Sequence, residues 1–480
     1  MRALIPGGLR PAKLNMGRPR AARGLVLRPW GLPLLLCNVL LRDPASAAPA
    51  CASPAVAPAV GQFWHISDLH LDPTYHITTN RTQVCASSKG VNASDPGLFG
   101  DFMCDSPYLL ILSALKYMKD SSQQASFMIW TGDSPPHVPA DELSTKIVID
   151  VIGNVTSTIR SFFPDLQVFP ALGNHDYWPQ DQLPVSVNEV YNAVADFWKP
   201  WLTDEAISTL RKGGFYTQIF KSSMTTQPLR IISLNTVLYY SPNSVTQNMT
   251  DPANQFEWLE MVLETAHQNK EKVYVIGHVP VGYLPFVRNI TAIREHYNRR
   301  LIDIFRKHSS VIAGQFFGHT HRDSIMVLLD ENGKPVNSLF VTPAVTPVKS
   351  LQEKDSNNPG VRLYQYDPLS YNLLDLWQFY LNLTEANMKN ESVWKLEYIM
   401  TKAYGIEDLT PESLYEMAKQ LSVPYSKLFQ KYYSYYFVSY DDASLLCEEQ
   451  CRISQLCAIQ YLDLPSYTDC VRHKGELQHG

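Results

Sequence analysis

Five short runs in the 480-residue chain carry the side chains that bind divalent cations. They are Asp68-Leu69-His70, Gly132-Asp133, Gly173-Asn174-His175-Asp176, Gly277-His278 and Gly318-His319-Thr320-His321. Imidazole and carboxylate together suit borderline ions such as zinc, manganese or iron. One carboxylate can bridge two such ions about 3.5–4 Å apart, a separation that suits phosphoryl chemistry. Asp-x-His or Gly-Asp alone is expected about once in a chain of this size; the signal is their joint appearance. Side chains on an extended strand repeat every second residue, so Asp68 and His70 are expected to share a face, as are His319 and His321. His65, His76, His267, His296 and His308 lack such a context and read as structural. Lys89 and Arg322 read as solvated surface cations.

Each run closes a short stretch built on apolar residues: Gln62 to Asp68, Ser126 to Asp133, Leu166 to Asn174, Val273 to His278 and Ala313 to His319. Such stretches, bounded by Gly, Asp, Asn or His, read as buried strands. Leu229 to Asn235 follows the same pattern. Helical patterns lie between them. Asp105-Ser106-Pro107 is expected to cap and open a helix through Lys119, and Asp251-Pro252 repeats the device. Residues 142–162 and 290–308 also show helical spacing, and Asn332-Gly333 reads as a hairpin turn. This alternation over about 62–350 predicts an α/β domain with polar residues at strand ends, where such sheets place ligands. Beyond about 385 the texture changes: 385–404, 411–421 and 424–436 look helical.

In order and residue type these runs resemble the calcineurin-like metallophosphoesterases. More narrowly, Trp64-His65-Ile66-Ser67-Asp68-Leu69-His70, Thr131-Gly132-Asp133-Ser134-Pro135-Pro136-His137 and Pro170-Ala171-Leu172-Gly173-Asn174-His175-Asp176 are similar to the acid sphingomyelinase branch. The resemblance implies a sandwich of two central β-sheets flanked by helices over 62–384, followed by a small helical, disulfide-rich C-terminal subdomain over 385–480. It implies two Zn²⁺ per chain, one on Asp68, His70 and His321, the other on Asn174, His278 and His319, with Asp133 bridging. A metal-bridging hydroxide would attack phosphorus in line with the leaving oxygen. His175 would protonate that oxygen, with His137 a second candidate and Asp176 orienting His175 by a hydrogen bond. Where iron-dependent relatives place a Tyr three residues after the bridging Asp, this chain has Pro136, which favours zinc.

The implied activity is hydrolysis of phosphodiester or phosphoanhydride bonds in small soluble substrates: nucleoside triphosphates, CDP-choline-like compounds or cyclic dinucleotides. Only about 14 residues precede the first strand after the leader, and sphingomyelinases of this branch carry a lipid-handling domain there. Sphingomyelin hydrolysis is therefore the alternative, as is phosphomonoester hydrolysis on the same scaffold.

Composition sets the partners. The formal charge is −5. Residues 1–47 hold eight Lys/Arg against Asp43, so the remainder carries −12 (−5 less +7). An acidic body without a basic block excludes polymeric nucleic acid as the natural partner. Residues 1–47 read as a signal peptide, with a basic segment, an apolar run from Trp30 to Leu41 and Ala45-Ser46-Ala47 as the cleavage site; Met16 is an alternative start. Residues 48–61 form an Ala/Pro-rich flexible N-terminus. Asn-x-Ser/Thr occurs at Asn80, Asn92, Asn154, Asn248, Asn289, Asn382 and Asn390, which together with the leader predicts a secreted or lysosomal glycoprotein. In an oxidising compartment the cysteines are expected to pair in small loops, Cys85 with Cys104, Cys447 with Cys451 and Cys457 with Cys470. The last two pairs can also cross over, and Cys51 is left over. The polar end His473 to Gly480 predicts no stable membrane insertion, and the chain is expected to be a monomer.

Overall fold

The computed structural model describes residues 60–121, 123–222, 224–285, 290–349, 356–441 and 446–476. The leader, Cys51 and the sequon at Asn289 lie outside the described residues. Twelve strands form among them: β1 Gly61–Ile66, β2 Phe127–Trp130, β3 Gln167–Pro170, β4 Tyr216–Phe220, β5 Leu229–Ser233 and β6 Lys272–Ile276. They continue with β7 Ile312–Phe317, β8 Ser324–Leu329, β9 Pro335–Val341, β10 Gly360–Tyr366, β11 Leu373–Leu381 and β12 Trp394–Ile399. One sheet has the order β12-β11-β10-β1-β2-β3 and the other β4-β5-β6-β7-β9-β8.

Each sheet combines a parallel block with antiparallel strands, added on one side in the first sheet and on both sides in the second. β1, β2 and β3 run parallel, as do β5, β6, β7 and β9. Parallel neighbours need crossovers, and helices Tyr108–Asp120, Thr145–Phe162, Gln255–Gln268 and Glu295–Lys307 supply them. The sheets meet face to face through aromatic side chains. The Phe63 ring of β1 lies 5.6 Å from Tyr274 on β6 and 5.4 Å from Phe316 on β7. These rings belong to one hydrophobic cluster running from Phe63 to Leu462.

Local chemistry sets several helix ends. Ser144 accepts from Ile147 N to start its helix. The Asp251 carboxylate accepts from Phe256 N at 2.9 Å and Glu257 N at 3.1 Å, after a short turn that begins at Pro252. Gly333, at φ 78°, closes the β8–β9 hairpin.

Residues 385–404 differ from expectation. They are a short helix Leu383–Lys389, then β12, then a helical turn Met400–Tyr404. Trp394 and Tyr398 are buried four residues apart. That spacing fits a helix face and equally one face of a strand, and pairing with β11 decides it. Helices Pro411–Leu421 and Lys427–Tyr436 pack on the same core through Leu414, Met417, Phe429 and Tyr432. The C-terminal helices Glu449–Gln460 and Leu464–Glu476 are joined by Cys457–Cys470, and Cys447–Cys451 ties the first turn of the first helix to the residues just before it. Cys85–Cys104 closes a third loop. Among the described residues no helix is long and apolar enough to cross a membrane.

Candidate functional site

The five sequence runs converge where parallel strands of both sheets end. β1, β2 and β3 bring Asp68, Asp133 and Asn174 from one sheet; β6 and β7 bring His278 and His319 from the other. Backbone bonds lock the loops together: Asp68 N donates to Gly132 O at 3.0 Å, His70 N to Asp133 O at 3.1 Å, and Gly318 N to His278 O at 3.0 Å. Across the sheets, His319 N donates to the Asp68 carboxylate at 3.0 Å.

The expectation that strand alternation aims Asp68 and His70 is replaced by a different geometry. β1 ends at Ile66, β7 at Phe317, and the ligand-type residues lie beyond them. Asp68 (φ 50°), His70 (39°), Asp133 (57°), His319 (73°) and His321 (60°) are all left-handed. Non-glycine residues rarely adopt this region, and such strain collects at functional sites. Two glycines permit the crowding. A Cβ at Gly173 would strike Asp133 Oδ1, and one at Gly318 would strike Ser67 Oγ.

The side chains close on a small space. Asp133 Oδ2 lies 3.1 Å from His278 Nε2 and 3.5 Å from His70 Nε2. Asp68 Oδ1 lies 3.4 Å from His321 Nε2 and 3.8 Å from His70 Nε2. Asn174 Oδ1 lies 3.0 Å from both His278 Nε2 and His319 Nδ1. Three sets have ligand atoms mutually within 4.8 Å: His70, His137 and His321; His70, Asp133 and His175; Asp133, His278 and His319. Outer contacts set the imidazole tautomers. His70 Nδ1 donates to Pro135 O and His278 Nδ1 to Thr131 O, both at 2.7 Å, which leaves each Nε2 lone pair for the centre. His70 Nε2 is buried with no hydrogen-bond partner, as an atom reserved for a cation would be. The donor set, the orphaned nitrogen and the shared carboxylate all fit divalent metal.

Charge agrees with this. Burial pulls His70 down, yet Asp68 and Asp133 push it up to about 9. Burial likewise opposes His278, and Asp133 and Asp68 push it up to about 9. Burial opposes ionisation of Asp133 and Asp68, but His278 above all holds both well below the usual carboxylate range. Protons thus occupy positions where a cation satisfies the same carboxylates.

The remaining expected residues divide. His137 and His175 stand beside the centre with ring centroids 4.2 Å apart, and His137 is 4.1 Å from His70. Asp176 does not orient His175. Its carboxylate accepts from the backbone N–H groups of Asp133, Ser134 and Gly173, so it braces the loop of Asp133 instead. Burial, then Asp133, pushes Asp176 up to about 6. Asp105 is not a helix cap; Pro107 takes that position. Asp105 accepts from His137 N at 2.6 Å and lies 3.0 Å from His137 Nδ1, with Thr346 Oγ1 donating to it at 3.0 Å. No spacing signal joins positions 32 residues apart. Arg322 is buried rather than solvated, on Asn357 Oδ1 at 3.0 Å and over the Phe437 ring. Of the sequons, Asn80, Asn92, Asn154, Asn248 and Asn390 are exposed and Asn382 is half-buried.

Fold and site together define a metallophosphoesterase. Residues 61–323 match the calcineurin-like phosphoesterase family, and residues 334–477 match the acid sphingomyelin phosphodiesterase C-terminal region. The chain belongs to the acid sphingomyelinase-like phosphodiesterases and is a phosphodiester hydrolase. It is 70% identical over 416 residues to human cyclic GMP-AMP phosphodiesterase SMPDL3A, covering 86% of this chain and 91% of the relative. It is 41% identical over 418 residues to human acid sphingomyelinase-like phosphodiesterase 3b, with 86% and 91% covered. It is 34% identical over 421 residues to sphingomyelinase phosphodiesterase C of Dictyostelium discoideum, with 86% and 92% covered.

Proposed function

We propose that the chain is a secreted or lysosomal di-zinc phosphodiesterase, monomeric, acting on small soluble phosphodiesters and phosphoanhydrides. Nucleoside triphosphates, CDP-choline-like compounds and cyclic dinucleotides are the substrate classes. The relative named for cyclic GMP-AMP supports the last of these. One observation carries the reading: a single carboxylate oxygen, Asp133 Oδ2, faces His278 on one side and His70 on the other. Asp68, His70 and His321 would hold one ion, Asn174, His278 and His319 the second, and Asp133 both. When bound, the ions supply Lewis acidity toward a phosphoryl oxygen and make water acidic enough to act as a nucleophile.

The chain's own residues do the rest. His137 holds Nδ1 against the Asp105 carboxylate, which fixes its tautomer and opposes the burial that keeps its pKa below the ordinary value, and leaves Nε2 to face the leaving oxygen as a proton donor. His175, which the family resemblance puts forward first for this step, is the other proton carrier. Gln180 Nε2 lies 3.1 Å from its Nε2, and burial, then His137, holds it well below its ordinary pKa. Asp176 steadies the Asp133 loop, so the carboxylate keeps its aim. Three disulfides support an oxidising compartment.

The test is metal analysis with turnover before and after chelation. The substrates are a nucleotide panel, matched bis- and mono-ester chromogens, and sphingomyelin vesicles. Two zinc ions per chain, chelator-sensitive turnover and preference for nucleotides and bis-esters are expected. Full activity with fewer than two ions would end the di-zinc reading, and faster hydrolysis of vesicles or mono-esters would end the substrate reading.

A further inference from the structure

We infer that Asp181 is a positioning residue that decides which end of the Asn174 side chain faces the metal centre. The inference rests on the proposed role of Asn174 as a ligand.

An asparagine amide has nearly the same shape in its two flipped orientations, but only one presents an oxygen. In the other, an –NH₂ group would point two donors at a cation. Asn174 Oδ1 sits 3.0 Å from His278 Nε2 and 3.0 Å from His319 Nδ1, inside the centre. Its Nδ2 points the opposite way and donates to Asp181 Oδ1 at 2.8 Å. An ionised carboxylate only accepts, so it selects the nitrogen end of the amide and rejects the oxygen end.

The backbone holds Asp181 in place for this. Asp181 N donates to Asn174 O at 2.9 Å, closing the segment between them, and Asp181 is left-handed at φ 67°. Gln180 completes the bracket, with Nε2 3.5 Å from Asp181 Oδ1 and 3.1 Å from His175 Nε2. Neither His278 nor His319 can do the same work, because an imidazole nitrogen donates or accepts according to its proton. Asp181 is the acceptor placed on the outer side of the amide.

The test reads zinc retention against graded chelator in Asp181→Asn and in the swap Asn174→Asp with Asp181→Asn. The melting temperature of each metal-free protein reports folding. An amide at position 181 offers both a donor and an acceptor, so it no longer fixes the amide of Asn174. Asp181→Asn is expected to release one of two zinc ions at a chelator concentration about 10-fold lower or more, the usual size for an outer partner. The second ion should stay. The swap is expected to recover retention, because a carboxylate at position 174 presents an oxygen either way round and the new amide at position 181 donates to it. A purely structural role predicts no such recovery. If wild type holds two ions and Asp181→Asn retains both as firmly, or if the swap is no better than Asp181→Asn, the assignment is wrong. A wild type with fewer than two ions instead strikes the di-zinc reading, and Asp181 with it.

Discussion

The rim of strand-end loops and the C-terminal helices obey local rules to opposite degrees. Around the centre, five non-glycine residues are left-handed, and His70 Nε2 and His175 Nδ1 are buried without partners. In the C-terminal region several helix ends follow local propensity. Asn382 accepts from Glu385 N to cap one helix, Thr410 caps the next with Pro411 at its first position, and Gly405 is the left-handed residue ending Met400–Tyr404. Left-handed non-glycine residues gather on the side chains that must converge, whereas in the tail they fall at helix ends and turns, at Asn390, Tyr425, Val438 and Ser439. Substitution should therefore separate the regions: rim changes alter chemistry at constant fold, tail changes alter stability at constant chemistry.

The largest expected effect is at Asp133. Asp133→Asn keeps the shape but removes the charge facing both halves of the centre. Turnover should fall about a thousandfold, beyond the roughly 10–100-fold typical of an outer partner, while the circular dichroism spectrum stays unchanged. A variant that unfolds, or one that turns over normally, breaks the separation.

Asp323 joins the two regions and sharpens the contrast. It lies two residues past His321, pairs with buried Arg362 Nη2 at 2.5 Å and accepts from Tyr398 of β12, and its N–H donates to Tyr436 O at 3.1 Å. Asp323→Asn leaves the Arg362 charge uncompensated, which costs about 3 kcal/mol in denaturant unfolding. If zinc retention falls with it, the tail holds the rim in place; if stability alone falls, the rim is self-sufficient.

Next in size is a pH effect confined to the rim. In metal-free protein, His70 and His278 sit at about 9, raised by Asp68 and Asp133 against burial. Their contribution is full below the unfolded value of about 6.5 and is lost as pH climbs through 9. The imidazoles held low, His175 and His319, titrate below 6.5 and leave this window alone. The melting temperature of chelator-stripped protein should thus fall between about pH 6.5 and 9.5. Zinc-loaded protein should not show that fall, because cations there replace the protons. A flat or rising profile in the stripped protein contradicts the site's electrostatics.

Sequence reading reached the rim more fully than its supports. Asp68, His70, Asp133, Asn174, His278, His319 and His321 each end an apolar run, and the structure brings all seven together. The left-handed backbone of Asp68, His70, Asp133, His319 and His321 was not legible, because period-two alternation describes strands and these residues lie just past them. The partnerships of Asp105 with His137 and Asp181 with Asn174 were equally hidden. The first pair is remote in sequence, and the second is set by the turn between its members. In the tail, helices Pro411–Leu421, capped by Thr410, and Lys427–Tyr436 were legible, whereas β12 was not, since its buried Trp394 and Tyr398 satisfy both periodicities.

The smallest effect tests the rule-abiding side. Thr410 Oγ1 accepts from Ser413 N at 3.4 Å, and Asp408 Oδ1 accepts from Thr410 Oγ1 at 2.7 Å and Ser413 Oγ at 2.6 Å. The cap begins a helix that buries Leu414, Met417, Ala418 and Leu421. Thr410→Ala leaves a first-turn donor without its side-chain partner and should cost about 1 kcal/mol in denaturant unfolding. The helix end stays wetted and the apolar face stays buried, so the loss should remain local. Turnover and zinc retention are expected to match wild type, because the hydrogen bonds of this cap join Thr410, Asp408 and Ser413 to one another. A change in zinc retention from so small a perturbation would mean that the strained rim leans on the tail's helix ends, and that the two regions form one cooperative unit.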